Sequence, residues 1–359
     1  MPGFDAERGR GMNKVVRVGV IGTGFGAHHI EVLRQLPDVE VVGVASAQPA
    51  RAEAVAERYG VPVATGDYRE LLPRVDAVVI ATPPALHAPM AIDAASAGVH
   101  IFCEKPTAAS LAEARSIYAA VEQAGVVGMV NFHQRFMAHW RRAHDLVTEG
   151  AIGRLAVADM RVTMNPVEYL ASPLWSDSKA GWFADAAQSG GLLASSVGPH
   201  LVDMMRWIGG PVSEVAARTI TSRTEIPLTG GGTRGDVDAD DGFIILGRYE
   251  SGALLTIRGE PVTYGGNEWD MALHGDEGSL IVAGSEMRLG RSGDPSPLVI
   301  DQPAAVNPRL AIAGRFIDAA RAGGPSPEPD LADGVAAQGL LDAALHAARS
   351  NQWVRVEAR

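Results

Sequence analysis

The sequence predicts an α/β protein: a doubly wound parallel sheet at the N-terminal end, then a second α/β domain built on antiparallel strands. Three observations carry this. Continuous apolar runs alternate with amphipathic segments through the first third of the chain, the pattern of strands buried on both faces beneath helices. A glycine-rich string, Gly22-Thr23-Gly24-Phe25-Gly26-Ala27, follows the first run directly. Near residue 150 the pattern gives way to apolar–polar alternation, as in strands with one face in water.

The elements follow in order. Val15–Ile21 reads as a buried strand and Ala27–Leu36 as a helix with Ile30, Leu33 and Leu36 on one face. Val39–Ala45 is the second strand, and Pro49–Tyr59 a helix stopped by Gly60. Val75–Ala81 is a strand ending in Thr82-Pro83-Pro84, followed by a helix over Pro84–Ala97 and a strand over His100–Glu104. Leu111–Ala124 is a helix stopped by Gly125, and Val126–Asn131 a further strand. Beyond residue 150, Leu155–Thr163, Gly242–Tyr249, Ala253–Arg258, Glu268–Gly275 and Gly278–Val282 alternate and are separated by turn residues, an antiparallel meander. Residues 229–234 (TGGGTR) read as a flexible loop. Two helices, Pro308–Ala322 and Leu331–Arg349, and a short strand, Trp353–Val356, close the chain. These divisions place a disordered leader at residues 1–13, a first domain at 14–134 and a second at 135–359, with the C-terminal helices and last strand free to pack back on the first.

Composition narrows the class. The 359 residues are 47% hydrophobic and 20% charged, with a net charge of −11 and no block of like charge. A nucleic-acid surface needs a basic face, so that partner is excluded. The single cysteine, Cys103, falls in a buried strand and can form neither an internal disulfide nor a metal site alone. His28-His29 has no further ligand at suitable spacing, so no metal is expected. No apolar stretch is long enough to span a bilayer, and the N-terminus lacks a signal-peptide core, so the expected location is cytoplasmic, away from membranes.

The glycine string makes a dinucleotide site. Gly22 permits a tight turn after the strand, Gly24 leaves room for a pyrophosphate, and Ala27 lets helix and strand pack closely. The helix N-terminus then offers free N–H groups and the positive end of its dipole. Thr23, Phe25 and Gly26 complete the turn, and His28 flanks the pyrophosphate. NAD-binding proteins usually place an acidic residue at the end of the second strand to hold the ribose hydroxyls. Here that strand ends at Ser46, with no carboxylate, and Arg51 follows near the start of the helix. A serine and an arginine accommodate a 2′-phosphate, so NADP(H) is preferred over NAD(H); alternatively Arg51 is a solvated helix residue.

Glu104-Lys105-Pro106 places a lysine at the carboxyl end of a later strand of the same sheet, where ligands bind in open α/β folds. Pro106 restricts the backbone beside it. A partly desolvated lysine has a lowered pKa and can relay a proton or polarise an oxygen.

With these motifs in place, the chain resembles the glucose–fructose oxidoreductase/inositol dehydrogenase (Gfo/Idh/MocA) family from Val16 to Val356. The resemblance rests on the glycine string, Ala81-Thr82-Pro83-Pro84 with His87, Glu104-Lys105-Pro106, Asn131–Phe136 (NFHQRF) and Gly190–Asp203 (GGLLASSVGPHLVD), and on the closing strand. It implies a Rossmann domain followed by an α/β domain with a large, mostly antiparallel open sheet, covered in homodimers or homotetramers by another subunit. It implies an NAD(P)-dependent dehydrogenase or reductase of sugars, cyclitols or related alcohols. Ala81, Thr82, Pro83 and His87 would line the adenosine-to-nicotinamide path, with Glu104, Lys105 and Asn131 by the nicotinamide. Arg135 would sit at the crevice mouth near substrate or cofactor. Trp182 falls in a stretch that contributes to the active site in relatives, or else packs in the core.

The family's catalytic motif has an aspartate four residues before a histidine. His200 matches the histidine; Ser196 stands where the aspartate would be. A neutral imidazole can take a hydroxyl proton while hydride leaves the carbon, and an imidazolium can return it to a carbonyl. A serine stabilises that imidazolium less than a carboxylate. Asp203, three residues on, is expected to cap or salt-link the helix. Lys105 and His200 are therefore the expected catalytic pair, with His133, Arg135, Trp182 and Ser196 towards substrate; Tyr264 is a weaker candidate. The loss of the aspartate leaves a second reading open, a catalytically silent NAD(P)-binding sensor of the same fold.

Overall fold

The computed structural model describes residues 15–165, 185–227, 232–262, 264–291, 293–294, 296–301 and 306–357. The expected leader, the stretch around Trp182, and the first half of the TGGGTR loop lie outside the described residues. The chain forms two compact units. One runs to His133 and includes Val306–Val335; the other begins at Gln134 and includes Ala336 onward.

In the first unit, β1 (Val16–Ile21), α1 (Phe25–Leu33), β2 (Val39–Ala45), α2 (Pro49–Tyr59), β3 (Val63–Thr65), β4 (Ala77–Ile80), α3 (His87–Ser96), β5 (His100–Cys103), α4 (Leu111–Ala124) and β6 (Gly128–Val130) follow in order. The strands pair in parallel in the order β3-β2-β1-β4-β5-β6. The order reverses between β1 and β4, so their carboxyl ends open a crevice. Val18, Val20, Val78, Val79, Ile80 and Ile101 are fully buried, which is why these strands read as unbroken apolar runs. β3 was not legible: three residues are too few to show a period. Pro84–Leu86 forms a 3-10 turn before α3, so the helix expected from Pro84 starts at His87.

In the second unit, α5 (Ala138–Thr148) precedes β7 (Leu155–Met164). Three helices follow: α6 (Ala186–Ser189), α7 (Gly191–Ser195) and α8 (Gly198–Gly209). Then come β8 (Val212–Ile220), the short pair β9 (Ile226–Pro227) and β10 (Thr233–Arg234), β11 (Gly242–Tyr249), β12 (Leu254–Pro261), β13 (Trp269–Gly275), β14 (Gly278–Ala283), β15 (Glu286–Arg291) and β16 (Leu298–Val299). The meander expectation is corrected at one place. β7 lies between β12 and β13, antiparallel to β13 but parallel to β12, so the consecutive strands β12 and β13 do not pair. Alternation shows which face of β7 is buried (Ala158, Met160, Val162), but not which distant strands it joins. β8 escaped notice because its last three residues are exposed and Ala216-Ala217 blunts its alternation. α8 is held on the sheet through Tyr249, whose buried hydroxyl donates to the Met205 carbonyl at 3.0 Å.

The chain ends in α9 (Pro308–Ala322), α10 (Leu331–Ser350) and β17 (Val354–Arg355). α9 and the turn after it belong to the first unit: Phe316 of α9 stacks on Phe102 at 5.2 Å, and the Gly128 N–H donates to Oγ of Ser326 in the turn at 2.9 Å. β17 instead joins β8 as an edge of the nine-stranded sheet. Thus residues 306–335 leave the expected second domain, while the last strand does not return to the first. Among the described residues no helix is long and apolar enough to cross a membrane.

Candidate active site

The first unit's site is built at the carboxyl ends of β1, β4, β5 and β6. Gly22 has φ +108°, and a Cβ there would lie 2.3 Å from the Ala81 carbonyl oxygen. No side chain fits where β1 and β4 part, and backbone lines the cradle. α1 begins immediately after Gly24, and among the described residues no side-chain hydrogen bond caps it, so the positive end of its dipole lies at the turn, a setting that suits an anion. The close-packing role expected of Ala27 falls instead to Gly26: a Cβ on Gly26 would meet Val20 Cγ1 at 2.9 Å. Ala27 is half-exposed. The turn is therefore Gly-x-Gly-x-Gly, one residue tighter than its spacing to Ala27 suggested. Thr23 and Phe25 are half-exposed around it.

At the end of β2, Ser46 is half-exposed; its N–H donates to the Thr65 carbonyl at 3.1 Å, and its Oγ accepts from the Gln48 N–H at 3.2 Å. Arg51 is exposed on α2. After β4, Ala81 and Thr82 are half-exposed and Pro83 is exposed. His87, expected to line the cofactor path, is fully buried instead. Its ring spans two loops, with Nε2 2.9 Å from the Thr82 carbonyl oxygen and Nδ1 3.1 Å from that of Pro106. Burial lowers its pKa.

Glu104 is also buried and is a hub. Its Oε1 accepts from His29 Nε2 at 2.8 Å and from Asn131 Nδ2 at 2.6 Å; its Oε2 accepts from the Lys105 N–H at 3.1 Å. Burial pushes its carboxyl up, but the hydrogen bond and charge of His29, the charge of Lys105 and the Asn131 amide outweigh this and hold it well below the carboxylate range. Lys105 is half-buried. Asn131 spends its amide N–H on Glu104, and its buried Oδ1 has no hydrogen-bond partner among the described residues. Such an acceptor suits the amide of a nicotinamide. With the Gly22 cradle and the uncapped α1, the donor set fits a dinucleotide. His133 is buried, and desolvation together with the charge of Arg309 pushes it down to about 3, so its imidazole is neutral. His28 faces Glu31, with Nδ1 3.5 Å from Oε2.

The second unit supplies His200 and Ser196, both buried. His200 lies in the first turn of α8, its N–H donating to the Val197 carbonyl at 3.0 Å. Two expectations are corrected here. Arg135 is not at a crevice mouth: it is 2% exposed, and its guanidinium forks onto Asp203, with Nε 2.8 Å from Oδ2. Asp203, expected to cap or salt-link α8, instead takes the Arg135 guanidinium from outside that helix. Tyr264 is 96% exposed, and Trp182 lies outside the described residues. Sequence reasoning missed Asp240. Its carboxylate caps α7, accepting from the Leu193 N–H at 3.0 Å, while Gly191 (φ +84°) leaves it room. Burial pushes Asp240 up to about 6. The only signal was the pair Asp240-Asp241 before a strand. Among the described residues no three His, Cys, Asp or Glu side chains form a metal-holding group.

Residues 16–132 match an oxidoreductase family with an NAD-binding Rossmann fold, and residues 140–281 match the Gfo/Idh/MocA C-terminal domain. Levoglucosan dehydrogenase of Pseudarthrobacter phenanthrenivorans is 31% identical over 95% of this chain and 98% of its own. Inositol 2-dehydrogenase of Rhizobium meliloti is 28% identical over 95% of this chain and 99% of its own. Among solved structures, levoglucosan dehydrogenase in complex with NADH and levoglucosan superposes with a TM-score of 0.82 at 28% identity, covering 95% of this chain and 99% of that one.

Proposed function

The chain belongs to the Gfo/Idh/MocA family of oxidoreductases, and from that premise we propose that it is an NAD(P)-dependent dehydrogenase acting on the CH–OH group of a sugar, cyclitol or related alcohol. The observation that carries this is the side-chain-free cradle at Gly22, on the same crevice as the strand end bearing Lys105. The substrate class is drawn from relatives that act on levoglucosan and inositol.

The bound dinucleotide supplies a nicotinamide carbon that accepts or returns hydride. The chain's own residues do the rest. Gly22, Thr23, Gly24 and the first turn of α1 hold the pyrophosphate, and the Asn131 Oδ1 accepts from the carboxamide. As hydride leaves the carbinol carbon, the His200 imidazole takes the hydroxyl proton, and in reverse the imidazolium returns it. The Lys105 ammonium polarises the substrate oxygen. His133, neutral and a weak base, hydrogen-bonds substrate without storing a proton. Ser196 lends His200 less support than a carboxylate would, which places more of the task on Lys105.

NADP(H) is the preferred dinucleotide in this reading, because Ser46 and Arg51 offer no carboxylate against a 2′-phosphate. A second copy of the chain covers the outer face of the nine-stranded sheet, where Val157, Ile244, Leu246 and Leu254 are exposed. A cytoplasmic setting belongs to the same reading.

The test is to mix pure protein with NADH or NADPH and a panel of sugars, ketosugars and cyclitols, and to follow cofactor absorbance. Steady turnover that disappears in Lys105→Ala supports the proposal. Tight dinucleotide binding with no turnover across the panel would make the protein a sensor, the reading to which Ser196 leans.

A further inference from the structure

The Glu104 carboxylate gathers donors from separate parts of the first unit. His29 comes from α1, 75 residues away in sequence, and Asn131 from the end of β6, 27 residues away. The third donor is the backbone N–H of Lys105 itself. A carboxylate only accepts, so His29 must present an N–H at Nε2. The side chains of His29 and Glu104 are 5% and 10% exposed, so water does not compete well for these bonds. His29 is further fixed edge-on to Phe102, 5.7 Å between ring centres, and Phe102 stacks on Phe316.

His29 lies one turn into the helix whose start forms the phosphate cradle. Lys105 is the group that must meet a substrate oxygen. One carboxylate therefore ties the helix of the Gly-rich turn to the backbone of the lysine. Reactions of this kind are sensitive to displacements of about 1 Å.

We propose that His29 is a positioning residue for hydride transfer: acting through Glu104, it fixes the Lys105 backbone relative to the Gly-rich turn. The inference rests on the reading that Lys105 acts on the substrate oxygen. His29 touches neither substrate nor dinucleotide in this role.

A pH signature follows. Removing one donor raises the Glu104 carboxyl, and once protonated it no longer holds the Lys105 N–H as firmly. The other groups facing Glu104 are Lys105 beside it in the loop after β5, Cys103 at the end of β5, His87 on α3 and His133 beyond β6. All four remain in a His29 variant, so a shift reports the lost bond.

The experiment compares wild type, His29→Leu and His29→Gln, whose side-chain amide can still donate. Lys105→Ala serves as control, and circular dichroism checks the fold. In His29→Leu we expect kcat to fall about ten- to hundredfold, NADPH Kd to stay within about twofold, and the acid limb of kcat to move to higher pH. In the cofactor-free protein, hydrogen exchange in the peptide spanning Phe102–Ala108 should quicken about tenfold, as expected for loss of a bond to a charged acceptor. His29→Gln should recover most of each effect. Should His29→Leu not fold, His29→Asn, too short to reach Glu104, takes its place throughout. Wild-type kcat, acid limb and exchange in the removal variant, alongside a dead Lys105→Ala, overturn the inference and leave the proposed function standing. Full turnover in Lys105→Ala overturns both.

Discussion

Arg135 and Asp203 meet as a fork across 68 residues, both within 2% of complete burial, with Trp207 5.4 Å beneath the guanidinium. A pair this deeply buried is costly to break from one side, because the abandoned charge has no water to turn to. Arg135→Met or Asp203→Leu alone should each cost about 3–5 kcal/mol in urea unfolding, and the double variant much less than their sum. Equal and additive losses would mean the two side chains are not coupled.

Gly26 and Ala27 divide the close-packing role unequally. Gly26→Ala sets a methyl 2.9 Å from Val20 Cγ1 and should lower both thermal stability and dinucleotide affinity. Ala27→Gly should act only through helix propensity, costing about 1 kcal/mol. Melting curves and fluorescence titrations with NADPH check the contrast. The reverse ranking would return the close contact to Ala27.

Ser46→Asp places a carboxylate where the 2′-phosphate of NADPH is proposed to lie. The ratio of NADPH to NADH affinity should fall by about tenfold or more from repulsion at short range. An unchanged ratio in paired titrations would show that Ser46 does not face the ribose.

Asp240 is pushed up to about 6 by burial, above its ordinary value of 3.8. Its protonated form suits the folded state, so the stability it contributes is present below pH 4 and is lost as pH rises through about 6. Asp240→Asn keeps an acceptor for the Leu193 N–H without the charge. The stability difference, variant minus wild type, should therefore grow between pH 4 and 6, by at most about 3 kcal/mol. A difference that is flat with pH would remove the titration from Asp240.

Leu254, 57% exposed on β12, stands beside Val157 on β7 in the parallel register. Leu254→Asp should convert the proposed dimer or tetramer to monomer in light scattering, with the fold intact by circular dichroism. An identical mass for variant and wild type would move the interface elsewhere.

The N-terminal sheet was legible because parallel strands are buried on both faces: Val18, Val20, Val78 and Val79 announce themselves as unbroken apolar runs, and Gly22 marks the place where backbone must approach backbone. The place of Lys105 just past β5 was legible for the same reason, since that strand too is an unbroken apolar run. Pairing partners in the second sheet were not. Alternation in β7 identifies its buried face, whereas its position between β12 and β13 depends on contacts about 100 residues distant.

By itself, then, the sequence determined most strands and helices of the first unit, the glycine turn after β1 and the lysine just past β5, because local periodicity and backbone freedom are written residue by residue. Only the tertiary structure decided what the polar side chains do. Arg135 lies with Asp203, His87 bridges two loops, Glu104 gathers His29 and Asn131, and Gly26 rather than Ala27 meets Val20. A buried polar group must find a partner wherever the fold brings one, and that partner is set by proximity in space, not by spacing along the chain.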